Sequence, residues 1–317
     1  MRYIFILGCH KSGTSLLRSL FDGHPDLNVV PIESHFIEHL GISGIYPLRK
    51  NDNHNLNFYD SLFKLLKEYN ESKSTYSDIN VAGKINFEIL EAHKNKLNNK
   101  DMPKAFEYMC KSIFEALELN FKEGHSIVEK SVENFQYASY LKMLYPNSIF
   151  IHILRNPYAN LVSLRKFKTR ANFPSLPELV ESINLSFSYA LNNVNIISDY
   201  FIIKYEALIL EAENTMQELM QKINIPFDPI LLKPSSMGDE WAGNSMYSNE
   251  MKNISNQNMN RWKKEIFPIE AALVNSKLSE HIKKWDYESF QLKQSAYNKA
   301  KGETIKTYLR NRLYLYL

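Results

Sequence analysis

Five short apolar runs punctuate the chain, at 3–7, 27–30, 126–128, 148–154 and 200–204. Runs this short and this continuously apolar suit strands buried on both faces of a parallel sheet, although buried helix segments read the same way. Helical patterns lie between them. Residues 14–22 put Leu16, Leu17, Leu20 and Phe21 on one face and stop at Gly23, a residue suited to a left-handed cap. Asn156 followed by Pro157 is the signature of an N-cap and a first-turn proline, and predicts a helix through Arg165. Residues 176–196 and 207–223 follow the same logic, the second stopped by Pro226. Strands alternating with helices predict an α/β fold, an open doubly wound parallel sheet with right-handed crossovers. Residues 38–124 are mostly helical and polar, which predicts an insertion over the carboxyl edge of the sheet. Residues 228–260 are rich in Pro, Ser, Gly, Asn and Met with poor periodicity, and predict a long loop of the functional kind.

Composition narrows the picture modestly. The chain has 317 residues, 44% hydrophobic and 23% charged, which is globular usage. The length admits two domains or one α/β domain with insertions; the element pattern favours one domain over 1–286 and a basic aromatic tail over 287–317. Lys and Arg number 38 against 35 Asp and Glu, a net charge of +3. That balance excludes a nucleic-acid binder driven by a large single-sign field. No apolar run approaches the ~20 residues of a membrane span. Cys9 and Cys110 make neither a disulfide framework nor a zinc pair, so a reduced, cytoplasmic setting is expected. The run at 3–7 behind Met1-Arg2 falls short of the about 7–15 apolar residues of a secretory signal. It is read as the first strand, with no leader or anchor ahead of it. The abundance of Asn, Ile, Lys, Tyr and Phe points to an AT-rich bacterial genome.

The chemistry starts immediately after that strand. Gly8-Cys9-His10-Lys11-Ser12-Gly13-Thr14-Ser15 joins strand to helix as an anion cradle: backbone N–H groups freed by the glycines face a phosphate or sulfate, and the helix dipole assists. Against the nucleoside-triphosphate pattern G-x-x-x-x-G-K-[ST], the glycines fit but Thr14 stands where lysine belongs, and the lysine appears earlier as Lys11. The best buried strand ends Ile153-Leu154-Arg155, without the Asp that would hold Mg²⁺ through water.

Lys11-Ser12-Gly13-Thr14-Ser15 leading to Asp22-Gly23-His24-Pro25-Asp26 resembles the 5′-phosphosulfate loop of sulfotransferases that use 3′-phosphoadenylyl sulfate, PAPS. Ile151-His152-Ile153-Leu154-Arg155-Asn156-Pro157 with Ser163 resembles the same family's 3′-phosphate motif. Arg155 at the strand end and Ser163 two turns into the helix are spaced so that both can converge on one phosphate. Glu129-Lys130-Ser131, Lys204-Tyr205-Glu206-Ala207-Leu208 and Arg261-Trp262-Lys263-Lys264 are further matches in family order. The resemblance implies a P-loop-type sheet flanked by helices, and PAPS as co-substrate. It implies donor binding by Lys11, Ser12, Gly13, Thr14, Ser15, Arg155, Ser163, Tyr205 and Arg261, with no metal required. On the residues alone, Tyr205-Glu206 reads as a strand–helix junction with a capping acid.

Glu33 and His35, in Ile32-Glu33-Ser34-His35-Phe36, resemble the E-x-H-F-F segment of glycosaminoglycan sulfotransferases, whose glutamate is the general base. Tyrosylprotein sulfotransferases carry a glutamate at a comparable place. Lys11 and Lys130 are then the implied charge stabilisers, and His35 is the neighbouring alternative as base. Lys166, Lys168 and Arg170 read either as a solvated helix end or as a rim attracting an acidic glycan. Around 241–247 the family closes a loop over the donor. His152, mid-strand, reads as a satisfied core residue. The tail, with Lys299, Lys301, Lys306, Arg310 and Arg312 among aromatic and leucine residues, suits a peripheral membrane helix, or docking on its own domain or a second subunit. The expectation is PAPS-dependent O-sulfation of a carbohydrate or another small hydroxyl compound. The competing readings are a P-loop small-molecule kinase and a non-catalytic nucleotide- or glycan-binding protein of the same fold.

Overall fold

The computed structural model describes residues 1–48, 56–71, 81–98, 102–165, 175–243 and 253–292. The first apolar run becomes β1 (Tyr3–Gly8), followed by α1 (Thr14–Phe21), β2 (Leu27–Val29) and α2 (Phe36–His39). Helices α3 (Phe58–Asn70), α4 (Phe87–Ala92), α5 (Lys94–Leu97) and α6 (Met102–Ala116) lead to β3 (Ser126–Lys130). Next come α7 (Ala138–Leu144), β4 (Ile149–Leu154), α8 (Pro157–Leu164), α9 (Leu176–Ile196) and β5 (Tyr200–Lys204). The chain continues through α10 (Tyr205–Leu210), α11 (Ala212–Lys222), the short strands β6 (Ser235–Ser236) and β7 (Asp239–Glu240), α12 (Trp262–Glu265) and α13 (Pro268–Lys284).

The five long strands are all parallel, in the order β2-β3-β1-β4-β5. Continuous apolarity has the expected cause: each central strand feeds two cores with period 2. Tyr3, Phe5 and Leu7 of β1 and Phe150 of β4 pack with Phe106 of α6, Leu161 of α8 and Phe187 of α9. Ile4 and Ile6, with Ile149, Ile151 and Ile153, pack on the opposite face with Leu16, Leu17 and Leu20 of α1 and Met216 and Leu219 of α11. His152 is a satisfied core residue, as expected. Its ring is hydrogen-bonded to Tyr200 Oη at 2.6 Å and Ser186 Oγ at 2.9 Å, and burial pushes its pKa down to about 3.

Two stretches differ from the pattern-based expectation. The helix expected over 207–223 is two helices, α10 and α11, because Glu211 leaves the helical region at φ −134°. Both pieces still bury residues in one cluster, Leu208 and Ile209 from the first and Met216, Leu219 and Met220 from the second. The loop expected over 228–260 begins as packed structure, a 3₁₀ turn at Pro229–Leu232 and the β6–β7 hairpin. Ser235 Oγ and Gly238 N donate to the Asp22 carboxylate at 2.7 and 3.1 Å, fastening that hairpin to the end of α1. Residues 244–252, the basic run Lys166, Lys168 and Arg170, and the tail from 293 onward lie outside the described residues. Tyr287 and Phe290, at the start of the expected tail, pack against the α8–α9 core. No helix among the described residues is long and apolar enough to cross a membrane.

Helix placement defines one crevice. Helix α1 leaves β1 on one face of the sheet and α8 leaves β4 on the other, and the two strands are neighbours. Ligands of open α/β sheets bind where adjacent strand ends diverge in this way. The entry of α8 into that crevice is fixed by Asn156, whose side chain accepts from Tyr158 N and Ala159 N, both at 3.1 Å, ahead of Pro157. Asn156→Ala should therefore lower unfolding stability by about 0.5–2 kcal/mol. Urea melts of both proteins read the difference directly.

Candidate active site

The loop after β1 has the backbone of a cradle. Gly8 can only be glycine, since a Cβ there would lie 2.8 Å from Ile153 O and 2.7 Å from Ser12 Oγ. Gly13, at φ 109°, starts α1, and a Cβ on it would strike the Tyr205 ring. Lys11 lies between them in the left-handed region at φ 63°, a conformation that non-glycine residues hold mainly where surrounding structure enforces it. That enforcement is visible. Arg155 NH1 donates to Lys11 O at 2.7 Å, Asn160 Nδ2 donates to His10 O at 2.8 Å, and His10 N donates to Tyr46 Oη at 3.1 Å. The Tyr46 ring, fully buried, also stacks on His10 at 5.5 Å.

Arg155 is placed by the end of β4 and by Tyr205, whose ring lies 4.5 Å below its guanidinium. Tyr205 therefore does more than join strand to helix: it floors both Gly13 and Arg155. Glu206 does act as a junction acid, accepting from Asn156 N at 2.8 Å and from Tyr287 Oη at 3.3 Å. Ser12 Oγ and Arg155 Nε are buried without a hydrogen-bonding partner among the described residues. Orphaned donors beside an amide-rich loop and an ammonium fit an anionic phosphate or sulfate group. Ser163 is buried in the second turn of α8. Arg261 is exposed and pairs with Glu265, one turn along its own segment.

Beside the cradle, β2 and β3 deliver a charged cluster. Glu33 and Lys130 form an ion pair with side chains only 6% and 3% exposed, and Lys130 Nζ also donates to Ser15 Oγ at 3.2 Å. Burial alone would raise the Glu33 pKa, but Lys130, His35 and His10 outweigh it and hold the carboxyl at about 2. Burial, then Lys130 and Arg155, lower Lys11 to about 8 against the opposing pull of Glu33. His35 Nδ1 meets Glu133 Oε1, and its Nε2 lies 3.6 Å from Glu33 Oε2. Glu129 accepts from Ser34 N at 3.1 Å, Ser34 Oγ at 2.8 Å, Ser131 Oγ at 2.5 Å and Asn134 Nδ2 at 3.2 Å. Burial pushes its pKa up to about 7 despite those donors.

Lys11, Ser15, Glu33, His35, Lys130 and Arg155 are thus linked by direct contacts or by electrostatics, with Ser12 next to Lys11 in the loop. Glu133, Tyr46, Asn160 and Glu129 are the members that sequence reasoning did not assign roles to. Glu33, His35 and Glu133 hold ligand-type atoms within 4.8 Å of one another, a set able to bridge a cation. Each already engages another charged side chain, Glu33 with Lys130 and His35 with Glu133.

A parallel α/β sheet with a glycine-bounded anion loop at its divergence point, and a buried acid–lysine pair next to it, defines a P-loop-type group-transfer protein. The profile described as "Sulfotransferase family" matches residues 3–229, and the chain belongs to that family. Among solved structures, the sulfotransferase domain of the Synechococcus PCC 7002 olefin synthase aligns at TM-score 0.61 and 17% identity, covering 91% of this chain and 95% of that one. The sulfotransferase domain of the curacin biosynthetic pathway aligns at TM-score 0.59 and 19% identity, covering 90% and 97%. At these identities the likeness is one of fold. No curated protein sequence matches the chain.

The lowered Lys11 makes binding of an anion in the cradle pH-dependent. Below about 8 the free protein carries the ammonium, and above it the charge must be restored before the anion is held. Above about pH 7, where its phosphates are ionised, adenosine 3′,5′-bisphosphate (PAP) should bind with constant affinity up to the Lys11 midpoint and then lose about tenfold per unit. Lys11→Arg should remove this limb. Calorimetric titration across the range measures both.

Proposed function

We propose that this sulfotransferase moves a sulfuryl group from PAPS to an acceptor hydroxyl, with Glu33 as general base and a carbohydrate as the acceptor class. One observation carries the reading: Lys130 spans the anion loop and the acid, touching Ser15 of α1 and Glu33 at once. A hydroxyl acceptor needs a base beside the site where charge is neutralised, and this is that juxtaposition. PAPS, when bound, supplies an activated sulfuryl group on a phosphate leaving group.

The chain's own residues divide the remaining work. The loop amides, Ser12 and Lys11 hold the donor's 5′-phosphosulfate end, and Arg155, flattened on Tyr205, receives the 3′-phosphate with Ser163. Lys130 turns from Glu33 toward the transferring group and neutralises charge there. Glu33, relieved of that ammonium, becomes more basic and takes the acceptor proton on a carboxylate oxygen. The acceptor oxygen bonds to sulfur as the sulfur–phosphate oxygen bond breaks. The products are a sulfate ester, PAP and the proton held by Glu33. Apart from that proton transfer, the chain contributes positioning and electrostatics, as in phosphoryl transfer. The likeness of the Glu33–His35 segment to the glycan-sulfating branch supports a sugar hydroxyl.

Two measurements test this. PAP should raise the melting temperature well above the shift given by adenosine 5′-phosphosulfate, which lacks the 3′-phosphate, and Arg155→Ala should erase the difference. Equal shifts in the unaltered protein would remove Arg155 from that role. With an acceptor found by screening sugars and hydroxyacyl thioesters against labelled PAPS, Glu33→Gln should slow single-turnover transfer by about 10²–10⁴ while PAP still binds. Near-normal chemistry in that variant rejects the glutamate base, and turnover of the thioesters alone rejects the carbohydrate.

A further inference from the structure

One imidazole beside the Glu33–Lys130 pair is ringed by three acids. His35 Nδ1 meets Glu133 Oε1 and lies 3.9 Å from Glu38 Oε1, while Nε2 lies 3.6 Å from Glu33 Oε2. All four side chains are buried, His35 completely. A neutral imidazole turns a lone pair outward from one of its nitrogens. With Glu133 in contact at Nδ1 and the Glu33 carboxylate 3.6 Å from Nε2, longer than a hydrogen bond but within ion-pair range, both acids favour the positively charged, doubly protonated ring. The backbone that carries the ring is fixed. His35 is held at φ 50°, in the left-handed region, and its backbone N–H donates to Ser131 Oγ at 3.0 Å.

The proposed reaction creates a difficulty that this ring resolves. Once Lys130 serves the transferring group, Glu33 is a buried carboxylate without its main counter-charge, and such a group takes a proton from solvent. A protonated Glu33 is no base. We propose that His35, fixed as an imidazolium by Glu133 and Glu38, is the second cation that keeps Glu33 ionised and aimed at the acceptor hydroxyl after Lys130 has moved away. The inference rests on the reading of Glu33 as base, and makes Glu133 and Glu38 positioning residues acting through His35.

Among the described residues, charged and titratable groups face this cluster from several elements. Glu33 faces Lys130 from β3, His35 from the segment after β2, and His10 and Lys11 from the cradle. His35 faces Glu33, Glu38 and Glu133. Glu133 faces His35, and also Glu129, Tyr46 and Tyr137. Against burial, Lys130 acts on Glu33 most strongly and His35 next.

Lys130→Ala imitates the departed lysine without needing donor or acceptor. In the full-length protein with PAP bound, the Glu33 carboxylate band is isolated by infrared difference against the matching Glu33→Gln protein and followed over pH. With Lys130→Ala alone, Glu33 should stay ionised at neutral pH. Adding Glu133→Gln or His35→Gln should raise its midpoint by about 1–3 pH units, the span over which a nearby counter-charge moves a carboxylate. A PAP-induced rise in melting temperature certifies folding, and His35→Gln carries the test if Glu133→Gln fails that check. A protonated Glu33 in the Lys130→Ala protein at neutral pH, or an unmoved midpoint in a folded double variant, overturns the proposal. Neither result depends on turnover, so the transfer rate of Glu33→Gln reports separately on whether Glu33 is the base.

Discussion

Lys130 and Glu33 neutralise each other inside the protein, and much of the surrounding architecture is what that pairing requires. With 3% and 6% of their side chains exposed, neither could hold its charge there without counter-charges close by. Removing one partner of such a pair typically costs about 3–5 kcal/mol, since the other is stranded. The two must therefore arrive together from distant parts of the chain. Parallel pairing of β2 with β3, extended by Val30 N donating to Val128 O at 2.9 Å, brings the segment after β2 alongside the end of β3. Pairing of β3 with β1 sets Lys130 level with Ile6, and strand alternation turns it to the face occupied by α1. Its contact with Ser15 follows from that register. A one-residue slip of β3 would send the ammonium to the other face.

Glu129 is the counterpart on that other face. Aligned with Phe5, it gathers Ser34, Ser131 and Asn134, and so ties the Glu33–His35 segment to the residues that follow β3. A buried acid with this many donors is tolerated because its polar atoms are satisfied, and the satisfied network rigidifies what it joins. Consecutive residues of one strand thus have opposite duties: Glu129 locks two segments together, while Lys130 carries a charge between anion loop and acid.

The parts of this arrangement that were legible in the sequence are those with short-range signatures. The strands showed as continuous apolar runs because both faces are covered. The cradle showed through the Gly8–Gly13 spacing, and the α8 entry through Asn156-Pro157. Where partners are distant, the signal was missing. Tyr46 lies in a stretch without helical or strand periodicity, and nothing local says that its hydroxyl reaches His10 of the loop. Glu133 follows the Glu129-Lys130-Ser131 match closely, yet its partner His35 comes from another strand connection 98 residues away. Tyr205 looked like a junction residue because its contacts, Gly13 and Arg155, are brought to it only by β1, β4 and β5 lying side by side. At Arg261 the local signal was sufficient for its local partner: the i,i+4 spacing to Glu265 contains the ion pair that forms.

The substitution of Thr14 for the usual lysine of a nucleoside-triphosphate loop acquires a physical meaning in this setting. A lysine at the start of α1 would be a cation dedicated to the anion, with no link to the acid. Here the loop keeps its glycines and amides, while the cations come from Lys11 within the loop and Lys130 on the neighbouring strand. Moving a cation to β3 couples it to Glu33, so one ammonium can neutralise either the acid or the incoming anion but not both fully. In a buried setting this competition is strong, because charge interactions fall off less than they do in water. On the proposed reading of Glu33 as base, an ammonium shared with the transferring group makes the state of that base depend on what occupies the cradle. A dedicated lysine on α1 could bind the anion as firmly, but it could not convey that occupancy to Glu33.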